Sequence, residues 1–302
     1  MLRSTAIARA GPSTAIIYGV LAAAIWGAWP TGSRLGLQET LSVYDLVALR
    51  IGTSGLLLLP LVWRRGVGGI GWPGAIVLAI GAGALFVLAG IGGFSLAPAS
   101  HGGVIIPSTM IVLSTLGGWL ALGDRPGTAR LAGLAIIIVG VVLVGWDSWS
   151  AGGGGDRAWI GHLLFVAAGL LWATYTVASR VWQVDPLHAI ALVSVLSMTV
   201  YLPAYAVFGS PGILAAPLAE VAFQAVFQGV LVGILALLFY TRAVASLGAA
   251  RGALFGALVP GLAVLWAYPV LGEVPTWREL LGFVTVTAGM VYVLRLPQGP
   301  GR

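Results

Sequence analysis

The chain has 302 residues, of which 59% are hydrophobic and 8% charged, with a mean hydropathy of +1.01. A soluble globular domain carries about 25% charged residues, so too little polar surface is present to face water, and the solvent implied is lipid. Cysteine is absent, which excludes disulfides, thiol catalysis and Cys-based metal sites; the net charge of +6 comes from 15 basic residues, all arginine and never in a run, which points to membrane topology and away from nucleic acid.

Ten apolar runs are long enough to cross a hydrocarbon core: 15–35, 43–63, 72–95, 101–121, 127–146, 158–182, 187–208, 218–242, 250–271 and 277–295. The first is as long as a span and is expected to be one, with no cleavable leader. It carries Trp26, Trp29 and Ser33 at i, i+3 and i+7, one helical face. Pro30 interrupts the same run and frees the carbonyl of Trp26. Arg50 lies about 10 Å into helix 2, counting 1.5 Å per residue. An intramembrane arginine is a functional candidate, but Asp45 and Glu39 lie on the same side and Arg50 is expected to snorkel toward them. Glycines crowd helices 3 to 5, among them Gly81, Gly83, Gly90, Gly92 and Gly93, and are expected to serve close packing, with hinge use open.

His101 opens helix 4, near Pro107 and Ser108. It is a candidate proton relay or carboxylate ligand, weighed against a solvated helix-end histidine; His162 and His188 begin helices 6 and 7. A polar link, Gly152 to Gly155, joins the two halves. Helix 6 repeats the spacing of helix 1 with Trp172, Tyr175 and Ser179. Two such stripes facing each other would line a cavity suited to flat apolar or cationic groups; lipid-facing packing or an interfacial belt is the alternative. Gln224 and Gln228 share a face of helix 8, where an amide pair needs polar partners, either solute or a neighbouring helix. Pro260 falls inside helix 9, like Pro107 in helix 4, and broken helices collect at cavities. The breaks between runs hold Gln38-Glu39, Arg64-Arg65-Gly66, Pro98-Ala99-Ser100, Ser210-Pro211-Gly212 and two Gly-acid-x-Pro elements.

Those two elements expose a duplication. Leu122, Gly123, Asp124 and Pro126 return 149 positions later as Leu271, Gly272, Glu273 and Pro275, followed in step by Leu131, Gly133 and Gly140 as Leu280, Gly282 and Gly289. Trp26, Ser33 and Arg34 return 146 positions later as Trp172, Ser179 and Arg180. The expected units are residues 1–150 and 151–302, each with five spans. With the N-terminus inside, eleven arginines (Arg3, Arg9, Arg64, Arg65, Arg125, Arg130, Arg180, Arg242, Arg251, Arg295 and Arg302) fall on the cytoplasmic side and three (Arg34, Arg157 and Arg278) outside. Both termini are then cytoplasmic, and an odd span count makes the second unit inverted, the arrangement of carriers that expose one site to each side in turn.

The order of these features resembles the EamA-type branch of the drug/metabolite transporter superfamily over nearly the whole chain. It rests on five plus five helices, the Gly-acid-x-Pro elements before helices 5 and 10, Arg50, an aromatic helix 1, and Pro107 and Pro260. Within that superfamily the chain is most similar to bacterial amino-acid and metabolite exporters. The resemblance implies an all-α inner-membrane protein with a central cavity lined by helices 1, 3, 4, 6, 8 and 9, helices 5 and 10 being peripheral. Candidate solute contacts are Trp26, Trp29, Pro30, Ser33, Phe86, His101, Pro107, Ser108, Trp172, Tyr175, Gln228, Tyr240, Phe255 and Pro260; structural roles fall to Arg50, Asp124 and Glu273. No cofactor or metal is implied.

No span carries a carboxylate near its centre: Asp45, Glu220 and Glu279 lie in first turns. Proton-driven export of cationic drugs generally needs such an acid, and phosphorylated solutes would want several cavity-facing cations. What remains is a neutral or zwitterionic solute, with aromatic amino acids favoured, moved without an obligatory embedded proton carrier. A broad-specificity drug or metabolite exporter, proton-coupled or not, is the alternative. An integral-membrane transferase is remote, because the short loops hold no metal-binding or His/Asp cluster. Ten spans suffice for a complete path in one chain; a dimer is left open.

Overall fold

Each apolar run folds as a helix because in hydrocarbon a backbone group finds its hydrogen-bond partner within its own segment. In the computed structural model, residues 11–150, 157–209 and 212–296 are described. The Gly152 to Gly155 link, Ser210, Pro211, Arg3, Arg9 and Arg302 lie outside them. The ten spans are α1 (Pro12–Gln38), α2 (Val43–Arg65), α3 (Gly71–Ala82 and Ala84–Leu96), α4 (Ala99–Leu122), α5 (Thr128–Ser150), α6 (Ala158–Val181), α7 (Pro186–Phe208), α8 (Leu218–Gln224, Ala225–Leu235 and Ala236–Leu247), α9 (Ala249–Gly256 and Val259–Leu271) and α10 (Trp277–Arg295). No strand occurs among the described residues.

Local chemistry sets the ends. Capping boxes start α2 (Ser42 with Asp45) and α10 (Thr276 with Glu279), and Asp185 caps α7 through the His188 amide. Gly123 and Gly272 end α4 and α9 in the left-handed region, at φ 74° and 68°. The following amides close the same turn in both copies, Asp124 N–H to Gly118 O and Glu273 N–H to Ala267 O, so the duplicated element is a helix terminator that delivers an acid to a fixed place.

Three spans depart from the single continuous helices that their hydropathy predicts. α3 breaks at Gly83. α8 winds as a π-helix from Ala225 to Leu235, a form concentrated at functional sites. α9 is interrupted at Ala257 and Leu258, so Pro260 opens its second segment instead of kinking a continuous helix. A proline at that position has no amide to lose.

Packing reproduces the duplication. α2 packs on α7, α4 on α9 and α5 on α10; α1 packs on α8 and α9 as α6 packs on α3 and α4. Exchanging the two five-helix units maps α2–α7, α4–α9 and α5–α10 onto themselves and interchanges the contacts of α1 with those of α6, and five spans per unit make the units inverted. α5 and α10 meet through the duplicated glycines: a methyl at Gly140 would lie 2.9 Å from the Gly282 carbonyl oxygen, and one at Gly282 would lie 2.8 Å from that of Gly140. The bundle thus has a near face, where α1 begins and α10 ends, and a far face, where α1 ends.

Candidate functional site

Trp29 is the hub at which the two units meet. Its indole N–H donates to Gln228 Oε1 at 3.1 Å, and the Gln228 amide donates to Ser33 Oγ at 3.0 Å and to Gln224 Oε1 at 3.3 Å. Gln224 in turn donates to the Gly32 carbonyl at 3.0 Å. Both glutamines are fully enclosed, and the π-helical turn of α8 carries the second of them to α1. Around Trp29 stand Phe94, edge-on at 5.1 Å, and Phe86 at 5.5 Å; Phe86 then meets Trp172 at 4.8 Å, and Trp172 meets Tyr175 at 5.3 Å. The stripes of α1 and α6 are therefore joined through Phe86 of α3. Gly90 leaves the room this needs, since a methyl there would lie 2.7 Å from the Trp29 ring.

Arg50 does not snorkel. Asp45 is occupied by Ser42 and Tyr205, and the Arg50 guanidinium instead lies 4.9 Å over the Trp29 ring. The aromatic face of Trp29 holds the cation inside the protein.

The remaining sequence candidates divide between two places. Trp26 meets Tyr240 at 5.3 Å, and Phe255 fills the space over Gly19, along the seam of α1 with α8 and α9. Pro30 packs where Gly103 of α4 touches Ala263 of α9, and Pro260 is buried a turn before that contact. Ser108 bonds back to the Val104 carbonyl at 2.6 Å within α4, beside half-buried Pro107. His101 is 1% exposed, so it is not a solvated helix end: Nε2 lies 2.7 Å from Glu279 Oε1 and Nδ1 lies 3.0 Å from His162 Nε2. The sequence reading gave His162 and Glu279 no place in the site. His162 sits one helical turn from Phe165, which continues the aromatic line to Phe94 at 5.2 Å. Only a prediction of which spans neighbour one another would have exposed this. Glu279 also shows that α10, expected to be peripheral, reaches the far-face cluster.

Two of the structural candidates, Asp124 and Glu273, take part in crossed ion pairs. Arg34 Nε of the first unit lies 3.8 Å from Glu273 of the second; Arg180 of the second unit lies 2.6 Å from Asp124 of the first. The far-face pair is the more enclosed, with side-chain exposures of 29% and 16% against 54% and 52%. Glu273 also takes the first amides of α4, Ala99 and Ser100, at 2.8 and 3.0 Å, with the Ser100 hydroxyl at 2.7 Å. Arg34 donates to the Phe94 and Ala97 carbonyls at the end of α3. Asp124, among the described residues, pairs with Arg180. The far-face pair is thus tied into more hydrogen bonds than the near-face pair. An apolar groove of about 550 Å³ lies on the near half, between α4 and α6, lined by Leu116, Leu120, Ala173 and Val177 among others. It does not include Trp29 or Trp172.

An all-helical bundle of two inverted units, with an aromatic hub at their junction and matched ion pairs at opposite faces, has the architecture of a membrane carrier. The EamA-like transporter family model matches residues 13–146 and again 159–295, and the chain belongs to that family. A solved protein crystal structure superposes with a TM-score of 0.63, covering 96% of this chain and 100% of its own, at 20% identity; at that distance the likeness shows the fold alone. Comparison with curated proteins finds no match.

Proposed function

We propose that the protein exports small neutral or zwitterionic metabolites, aromatic amino acids foremost, from the bacterial cytoplasm across the inner membrane, with both termini cytoplasmic. The observation that carries this reading is the Trp29–Phe86–Trp172 set, which draws aromatic surface from both units to one place. Such faces take flat apolar groups, and among the described residues no carboxylate lies with them to favour a bare cation.

The mechanism proposed is alternating access driven by the solute's own gradient. Glu273 caps α4 at the far face; the repeat equivalent of that helix start is the beginning of α9, and the repeat equivalent of Glu273 is Asp124. Exchange of conformations would release Glu273 from α4 and seat Asp124 on the first amides of α9, opening the far face as the near face closes. Counterflow of radiolabelled phenylalanine in proteoliposomes, without a pH gradient, tests the solute class. Saturable exchange blocked by tryptophan and tyrosine, and not by sugar phosphates, is expected; none from folded protein would refute it. The His162–His101–Glu279 line, with His101 buried at its centre, favours a second reading in which flux is proton-coupled. An imposed pH gradient that accelerates uptake in the native protein and not in His101→Gln would select it.

A further inference from the structure

Arg50 is a buried cation without a counter-ion. It is 8% exposed, its Nη1 has no hydrogen-bond partner, and it forms no ion pair among the described residues. Its own backbone carbonyl is occupied by Ser54 Oγ at 2.8 Å, so the turn around it is closed. The Trp29 ring lies 4.9 Å from the guanidinium carbon; Nη1, part of a donor fork that suits a carboxylate, is left without a partner. An isolated charge removed from water is costly unless an anion joins it. The residues that could supply one from the protein are committed: Asp45 to Ser42 and Tyr205, Glu220 to Thr40, and Glu273 to α4 and Arg34.

We infer that Arg50 is the anchor for a carboxylate on the transported solute, and that the site selects an aromatic or bulky apolar body carrying one carboxylate. The inference rests on the solute reading above and adds the group by which the solute is recognised. The indole of Trp29 is held rigid by Gln228, Phe86 and Phe94, and so presents both the cation and an aromatic wall to one ligand. An amine of the same shape without the carboxylate would meet an uncompensated positive charge and be rejected.

The test is equilibrium binding of radiolabelled 3-phenylpropionate to the purified full-length protein, with phenethylamine as competitor. The wild type is expected to bind saturably, with phenethylamine failing to compete. Arg50→Met and Arg50→Gln are expected to weaken binding by about tenfold or more, the scale of a lost charge-assisted hydrogen bond. Arg50→Lys, which keeps the charge and loses the fork, should fall between them and the wild type. Absence of binding in the wild type, unchanged binding in Arg50→Met, or equal competition by phenethylamine would each overturn the assignment. Binding without phenylalanine counterflow would refute the transport reading and leave Arg50 in place; counterflow with unchanged affinity in Arg50→Met would do the reverse.

Discussion

Arg34 and Glu273 face each other at 3.8 Å across the two units, and their repeat equivalents, Arg180 and Asp124, do the same at 2.6 Å on the opposite face. Each pair joins an arginine of one unit to an acid of the other. The longer pair is the more deeply built, because Glu273 also seats the start of α4. Distance alone would rank them in the reverse order.

The two acids therefore differ in what their loss costs. Asp124→Asn removes an exposed pair and should change stability by less than about 1 kcal/mol. Glu273→Ala strips the cap of α4 and leaves two helix-start amides unpaired, which should cost about 2–3 kcal/mol. Unfolding of the two variants in the same detergent checks the ranking.

Trp29 and Gln228 should behave as one unit. Gln228→Leu takes the partner from the buried indole N–H and a donor from Gln224 Oε1, and should cost about 1–3 kcal/mol. In Trp29→Phe plus Gln228→Leu the indole donor is gone as well, so the double variant should lose less than the sum of the singles. A double-mutant cycle reads this directly; strict additivity would contradict the hub.

Glu279 has two tasks. One oxygen accepts from the Thr276 amide at the start of α10, and the other meets His101. Glu279→Ala is expected to cost about 2–4 kcal/mol from the lost cap and a stranded buried imidazole. Glu279→Gln, which keeps an acceptor, should cost less than half of that. Equal losses in thermal unfolding would show that the charge, and not the acceptor geometry, holds the cluster.

Gly140 and Gly282 approach backbone to backbone, so Gly140→Ala cannot be absorbed by a side-chain rotation. Helices α5 and α10 would have to separate, at a cost of about 1–3 kcal/mol. Gly127→Ala, with nothing within 4 Å of the added methyl, is the control and should leave the melting temperature unchanged.

The architecture was legible because two of its causes are local. Apolar length dictates spans, and the Gly-acid-x-Pro terminator recurs with its helix-ending geometry intact in both copies. Trp26, Trp29, Trp172 and Tyr175 could be placed on faces from spacing alone. The joining of those faces through Phe86, the turn of Arg50 away from Asp45, and the meeting of His101 with His162 depend on which spans pack together, and periodicity within one span carries no record of its neighbours. The π-helix of α8 was hidden for another reason. Its residues, Ala225 to Leu235, suit an α-helix as well, and the fit of Gly229 against Thr53 of α2 is a tertiary contact that spacing within one span does not record.

The absence of cysteine permits the most direct test of alternating access. Thr31→Cys in the far half of α1 and Thr115→Cys in the near half of α4, both buried positions, serve as single reporters for a water-soluble maleimide. Each is combined with Glu273→Gln, which weakens the far-face pair. The account predicts opposite changes: faster labelling at position 31 and slower labelling at position 115, as the population moves to the far-open state. Faster labelling at both positions, or a change at 31 with none at 115, would contradict it, because the two faces would then open independently.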